Sequence, residues 1–419
     1  MTELLHSWVD SANSATTEFP LNNLPYGVFS TADQNPRCGV AIGDMVFDCH
    51  LAEVTGLLSV SDFTLFDAPH WNEVMEEGPA LWAALRNRLT EVLRQGSEDE
   101  SAARGMLVPM AQARMHMPFM VAEFTDFYAN RNHAENVGTM FRGPNNALPP
   151  NWLHVPIGYN GRAGSIVVSG TDVRRPWGQQ KAPGDEAPQF APSTRFDFEL
   201  ELGAIVGTGS DGPVTVDEAN DMIFGYVLLN DWSARDIQAW EYQPLGPFQG
   251  KATATTISPW IVTCAALEPF VCQTPEREVP LLPHLQDTGP MLYDINLSVG
   301  LRPKGQDETI LTTTNYNSMY YSSAQQLAQH TSAGGPMTTG DLLGSGTISG
   351  PDRTEFGSML ELSWNGKTPI QLDSTATRSF VEDGDQITLR GQAFGEGYMV
   401  GFGDCSGTVV TALTDPFDS

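Results

Sequence analysis

The stretch STRFDFELELGAIVG, Ser193 to Gly207, carries three carboxylates at alternate positions, Asp197, Glu199 and Glu201, with Phe198, Leu200 and Leu202 between them. In an extended chain, residues two apart share a face at steps of roughly 7 Å, so one face is apolar and the other acidic. The apolar face needs a core, which makes the stretch a sheet strand. The acidic face has two readings. It is either solvated, the usual fate of an alternating strand, or it is a cation site.

The rest of the composition agrees with a sheet-rich chain. Forty Gly and 29 Pro among 419 residues suit many turns and short strands better than a helical bundle. The length allows two units, or one large unit with an appendage. A formal charge of −29, with no cluster of Lys or Arg, argues against nucleic acid and anionic membranes as partners. Cys38, Cys49, Cys264, Cys272 and Cys405 are odd in number and scattered, which fits reduced thiols in a cytoplasmic protein. No basic segment followed by an apolar core opens the chain, and no apolar run approaches the ~18 residues of a membrane span.

Upstream, LPYGVFST and CGVAIGDMVFDCH read as short strands, with ADQNPR as a turn-rich link and Gly43-Asp44 as a hairpin turn. GPALWAALRNRLTEVLRQG spaces Leu81, Trp82, Leu85, Leu89, Val92 and Leu93 as a helix ending at Gly96, packed on that small sheet. The texture changes near Met117-Pro118, so the expected division is residues 1–117 and 118–419. Beyond it, SIVVSG, FGYVLLND, YDINLSVGLR, SMLELSW and DQITLRG read as extended segments. YNSMYYSSAQQLAQHT reads as a helix, and KAPGDEAPQFAPS and TPEREVPLLPHLQDTGP as Pro-rich loops.

Signatures for zinc proteases, P-loops and EF-hands are absent. GDLLGSGTISG reads as strand and turn, and GDCSG as a turn. Polar density concentrates in two places. FTDFYANRNHAENVGTMFRG, residues 124–143, reads as an exposed or active-site loop, with composition favouring the exposed one. In LLNDWSARDIQAWEYQPLGPFQGK an apolar strand runs into Asp231, which either delivers a carboxylate to a cleft or caps the next helix.

These two segments, with NLPYGVFS, NWLHVPIGYNGRAGSIVVSGT, RFDFELELG, ISPW, SGTISGP and FGSMLELSW, resemble the long, eukaryotic-type fumarylacetoacetases in order and spacing. The likeness runs from about Phe19 to the C-terminal region; the residues before it are read as a disordered extension. It implies a mainly β fold with minor helix: a small SH3-like N-terminal barrel, a larger C-terminal β-roll and a homodimer. It implies hydrolysis of a diketo diacid, 4-fumarylacetoacetate, to fumarate and acetoacetate, the last step of tyrosine and phenylalanine breakdown.

Residue by residue, the resemblance makes His133 and Glu361 the water-activating dyad, and Asp126, Glu199, Glu201 and Asp231 the ligands of a divalent cation. An all-oxygen set suits Ca²⁺ or Mg²⁺. A second ion contact falls on Asp231, Lys251 and Thr255, where the chain departs from the family by carrying Ala254 in place of Gly. Arg235, Gln238 and Lys251 fall where charge develops on the leaving portion. Tyr128, Arg142, Tyr159, Gln238, Tyr242 and Thr347 fall at substrate contacts. Asp197 receives no ligand role and is expected in solvent or paired with Arg195 or another base. Two other readings stand beside this one: a related acylpyruvate hydrolase, decarboxylase or hydratase acting on another keto acid, and a non-catalytic β protein stabilised by calcium.

Overall fold

The Ser193–Gly207 stretch is extended but interrupted. Phe196–Asp197 pairs with Ser233–Ala234, while Leu200–Val206 enters a much larger sheet. All seven residues of the longer segment are buried, Glu201 included, so neither face is solvated. The computed structural model describes residues 3–373, 376–415 and 417.

The N-terminal unit is the expected meander of Tyr26–Thr31, Gln34–Ile42 and Met45–Asp48. Gly43 turns between the last two strands at φ +58, where a Cβ would strike the backbone of Ser11 and Ala12. The preceding turn is tighter than the composition suggested: the second strand begins at Gln34 and absorbs most of ADQNPR. The helix Pro79–Leu93 starts with Pro at its first turn and buries Leu85, Leu89, Val92 and Leu93 in one cluster with Val28, Val40 and Phe47.

Tyr26 and Gly27 pair with Ile261 and Trp260, joining this meander to the sheet of the larger C-terminal unit. From there the order is Trp260–Thr263, Ile223–Asp231, Leu200–Val206, Leu342–Gly344, Phe124–Phe127, Gly158–Asn160. A second sheet, containing Thr309–Asn315, Asn296–Arg302, Gln386–Gly395 and Cys405–Val410, shares the main core. Leu228 from the first sheet and Leu297 and Leu389 from the second lie in that core. Among the described residues no helix is long and apolar enough to cross a membrane.

Four expectations are corrected. Residues 124–143 are no exposed loop: Phe124–Phe127 is a buried strand and Arg131–Arg142 a helix capped by Asn130, whose side chain accepts from His133 N. SMLELSW is not extended, because Met359–Leu362 forms a helical turn capped by Ser358. KAPGDEAPQFAPS ends in a strand, Gln189–Pro192, paired with Trp177–Gln180. The N-terminal residues from Glu3 onward are ordered against the fold. Trp8 Nε1 donates to Val92 O at 2.8 Å, and Ala12 is fully buried.

Candidate active site

Neighbouring strands of the larger sheet bring acid to one point. Asp231 ends its strand and pairs with Thr255, and Glu201 lies near the start of its own. The next strand places Gly344 level with Asp126, and beyond it Asp126 pairs with Tyr159. Glu199 completes the set from the break before Leu200, bridged to Ser358. Oxygens of Asp126, Glu199, Glu201 and Asp231 all lie within 4.8 Å of one another, and all four residues are buried. Gly344 makes this convergence possible, because a Cβ there would stand 2.8 Å from Asp126 Oδ1 and 3.0 Å from Glu201 Oε2.

Four buried carboxylates are too much negative charge for the two cations beside them. Lys251 Nζ bridges Glu199 and Asp231 Oδ2, the latter at 2.6 Å, and Arg235 Nη2 lies 2.7 Å from Glu199 Oε1. Burial raises the cost of charge on Glu199, but Arg235 and Lys251 outweigh it and hold the carboxyl well below its usual range. The other side of the cluster lacks such help. Burial first, then the Asp231 charge, pushes Asp126 up to about 8, and burial with Asp126 and Asp231 pushes Glu201 well up. Asp126 Oδ1 and Glu201 Oε1 are buried without a hydrogen-bond partner.

Orphaned oxygens and surplus negative charge are what a bound cation would remedy. The span fits too, since oxygens on opposite sides of Ca²⁺ at about 2.4 Å stand about 4.8 Å apart. This buried acidic cluster can hold a divalent metal ion. Tyr159 OH donates to Asp126 Oδ2 at 2.8 Å and to Asp231 Oδ2 at 3.1 Å. Thr255 Oγ1 donates to Asp231 Oδ1 at 3.0 Å. The Lys251 ammonium is held charged by Asp231 and Glu199 against the cost of burial, so its side chain offers a metal no lone pair. Ala254 is buried in the main core without displacing Thr255 from Asp231.

The dyad assembles from the helix Arg131–Arg142 and the Ser358-capped turn. His133 Nδ1 lies 2.7 Å from Glu361 Oε2, which leaves Nε2 as the free ring nitrogen. Glu361 is fully buried yet held below the usual carboxylate range: burial pushes it up, and His133, Asn136 and Ser358 more than offset that. Ser349 Oγ adds a hydrogen bond at 3.0 Å to each Glu361 oxygen.

A cavity of about 450 Å³ joins the two groups, with His133, Asp126, Glu199, Glu201 and Lys251 all on its wall. Tyr128, Tyr159, Gln238 and Thr347 line it, with Arg142 and Tyr242 toward solvent. Thr347 Oγ1 is buried without a partner, a spare hydrogen-bonding group for a ligand. Arg142 is turned onto the carbonyls of Asn146 and Ala147 at 3.1 and 2.6 Å. Arg235 Nη1 donates to Gln238 Oε1 at 3.1 Å. Glu361, Asp231 and Thr255 stand behind the wall. Asp231 does not cap a helix, because Ala234 precedes the helix Arg235–Glu241 and makes no side-chain cap.

Asp197 is neither wet nor paired with Arg195. It is fully buried, accepts from Arg235 Nε at 2.8 Å, and receives the N–H groups of Met359 and Leu360 at 2.7 and 3.0 Å. It therefore ties the Arg235 guanidinium to the turn that carries Glu361. The contributions of Ser349, Asn136 and Gly344 also escaped the sequence reading. For Ser358 a signal existed: Ser-x-x-Glu before a helical turn is a capping pattern, and Glu361 N donates to Ser358 Oγ at 3.3 Å.

Comparison with known proteins gives a consistent outcome. A family model described as fumarylacetoacetate hydrolase C-terminal matches residues 123–410, and one described as fumarylacetoacetase N-terminal matches residues 22–118. The chain is 47% identical to the fumarylacetoacetase of Arabidopsis thaliana, covering 97% of this chain and 99% of that protein. It is 46% identical to the fumarylacetoacetase of Homo sapiens, over 95% and 97%. Among solved structures, a fumarylacetoacetate hydrolase from Exiguobacterium antarcticum shares the fold at a TM-score of 0.52 and 16% identity, covering 93% of this chain and 99% of that one.

Proposed function

This chain belongs to the fumarylacetoacetase family, and from that premise we propose that His133, paired with Glu361, activates the water that cleaves fumarylacetoacetate into fumarate and acetoacetate. The protein is a hydrolase acting on a carbon–carbon bond. One observation supports the assignment of roles: His133, backed by Glu361, and three of the four clustered carboxylates, Asp126, Glu199 and Glu201, line the same cavity.

His133 is set up as a general base. Glu361 holds its Nδ1, so Nε2 is the nitrogen able to take a proton from water. The resulting imidazolium is stabilised by the carboxylate behind it. Attack at the carbonyl next to the fumaryl carbons gives a tetrahedral intermediate. Its collapse breaks the carbon–carbon bond and leaves the electron pair on acetoacetate as an enolate, to which His133 returns the proton. Asp126, Glu199, Glu201 and Asp231 would hold a Ca²⁺ or Mg²⁺ ion, whose Lewis acidity, when bound, favours polarised diketone oxygens.

Arg235, Gln238 and Lys251 supply donors where the negative charge develops. Arg142, at the mouth, can exchange two main-chain carbonyls for a terminal carboxylate of the substrate, a bidentate partner worth more to a guanidinium. Tyr128, Tyr159, Tyr242 and Thr347 complete the substrate wall. The same reading divides the chain at Met117-Pro118 and carries with it a homodimer, a cytoplasmic setting and the last step of aromatic amino-acid breakdown.

The test follows loss of the enediketone absorbance of fumarylacetoacetate. Turnover is expected only with a divalent cation, and His133→Ala is expected to abolish it in a folded protein. Full activity after exhaustive chelation, or in that variant, would refute the assignment. An acylpyruvate replacing fumarylacetoacetate as the better substrate would favour the related hydrolase reading.

A further inference from the structure

We propose that Asn136 is a positioning residue for the dyad, so that a single helix grips both oxygens of the Glu361 carboxylate. The inference rests on the reading of His133 and Glu361 given above. His133 and Asn136 are three residues apart in the helix Arg131–Arg142, hence on one face of it. His133 Nδ1 meets Oε2 at 2.7 Å and Asn136 Nδ2 donates to Oε1 at 2.9 Å. Two contacts from one rigid element tie the plane of the carboxylate to the helix that carries the imidazole, whereas the other donors on Glu361, Ser349 and Ser358, come from different segments.

The remaining partners make Asn136 the element that can be lost selectively. Ser358 Oγ donates to Oε2 at 2.8 Å, and Ser349 Oγ divides its one proton between both oxygens, its own lone pair being engaged by Gly357 N at 3.0 Å. Asn136 is thus the one donor among the described residues dedicated to Oε1. It is half-buried and does not line the cavity, so it touches no substrate. The titratable groups facing the pair are Glu199 and Tyr128, the latter packed edge-on against the His133 ring with centroids 5.5 Å apart, while every other side-chain contact on Glu361 is neutral.

Removing the Asn136 donor leaves more negative charge on Glu361 for a protonated imidazole to pair with. The protonated, inactive dyad then persists to higher pH. Asn136→Ala is expected to lower kcat about tenfold with KM within twofold, and to move the acid limb of kcat/KM upward. Asn136→Asp keeps size and shape, but its new carboxyl can donate to Glu361 only while protonated. Its activity is expected to fall with rising pH across a range where the parent enzyme is flat.

Full pH–rate profiles of the parent, both variants and His133→Ala test this. An Asn136→Asp profile superimposable on the parent, or a parent-like kcat in Asn136→Ala, overturns the proposal. Should Asn136→Ala not fold, the isosteric variant carries the test alone. Activity retained by His133→Ala would instead overturn the dyad reading on which it rests.

Discussion

Gly344 offers the sharpest test of whether the acidic cluster is a metal site. Its Cβ is the one atom missing between two carboxylates from neighbouring strands. Added there, it would stand 2.8 Å from Asp126 Oδ1 and 3.0 Å from Glu201 Oε2. Returning from 2.8 Å to an ordinary contact of 3.4 Å moves the Asp126 oxygen by about 0.6 Å and the Glu201 oxygen by about 0.4 Å. Both residues sit in paired strands, so the shift must come from their side chains, since the backbone is held by its ladder.

For folding alone this is moderate overpacking, costing about 1–3 kcal/mol. For a metal it is severe, because ligand distances tolerate only about 0.2 Å. Gly344→Ala is therefore expected to weaken divalent-cation affinity by about 10–100-fold, or about 1.4–2.7 kcal/mol, with a much smaller change in the metal-free protein. Thermal unfolding with and without Ca²⁺ or Mg²⁺ separates the two effects. The parent should gain Tm with cation, and the variant should need 10–100 times more cation for the same gain. Equal cation dependence in a folded variant would refute the metal-site reasoning.

Three further outcomes follow from the electrostatics. Asp126 holds a proton up to about 8 in the metal-free protein, chiefly through burial, so cation binding at pH 7 should release protons. Calorimetry in buffers of different ionisation heat measures the release, and a buffer-independent heat would count against it. Asp197→Ala leaves the buried Arg235 guanidinium without its Nε partner and should destabilise the fold by about 3–5 kcal/mol, read as a denaturant midpoint. A loss below about 1 kcal/mol would show that Arg235 finds another acceptor. The Glu361 carboxyl is lowered from 4.5 in the folded state, so its stabilisation is present above that value and disappears as pH falls through the depressed one. The stability difference between parent and Glu361→Gln should accordingly shrink as pH falls below about 4.5, and a gap that widened on acidification there would reverse the sign of the linkage.

Strands and turns were legible where one physical signal dominated. The Gly43 hairpin and the Pro79–Leu93 helix follow from local chemistry, a positive-φ turn in one and an apolar stripe behind a proline in the other. The Arg131–Arg142 helix was not legible because its signal is polar. Only His133, Ala134 and Gly138 are buried, and the helix is held by its Asn130 cap and its grip on Glu361 in place of a hydrophobic stripe. SMLELSW alternates like a strand, but the Ser358 cap and the two N–H groups received by Asp197 turn it into a helix. The Ser358 cap is local, but Asp197 lies more than 150 residues away in sequence, where no local pattern reports it.

The acidic stretch shows the same limit from within. Asp197, Glu199 and Glu201 are equivalent by alternation, yet the chain breaks between two pairings after Asp197, so the three no longer share one strand. Each is then defined by what other segments bring. Asp197 meets Arg235 and the Glu361 turn, Glu199 meets Lys251 and Arg235, and Glu201 accepts from Gly346 N at 3.0 Å, with burial and the like charges of Asp126, Asp231 and Glu199 outweighing the more distant Lys251. Asp197 and Glu199 thus have cationic partners in direct contact, and Glu201 has none, so the demand for a cation falls on Glu201. The two carboxylates of the cluster left with orphaned oxygens, Glu201 and Asp126, flank Gly344, the position where the sheet leaves room for both. A solvated face would need none of this arrangement, and a purely structural calcium site would have no use for His133 on the wall beside it with Glu361 behind.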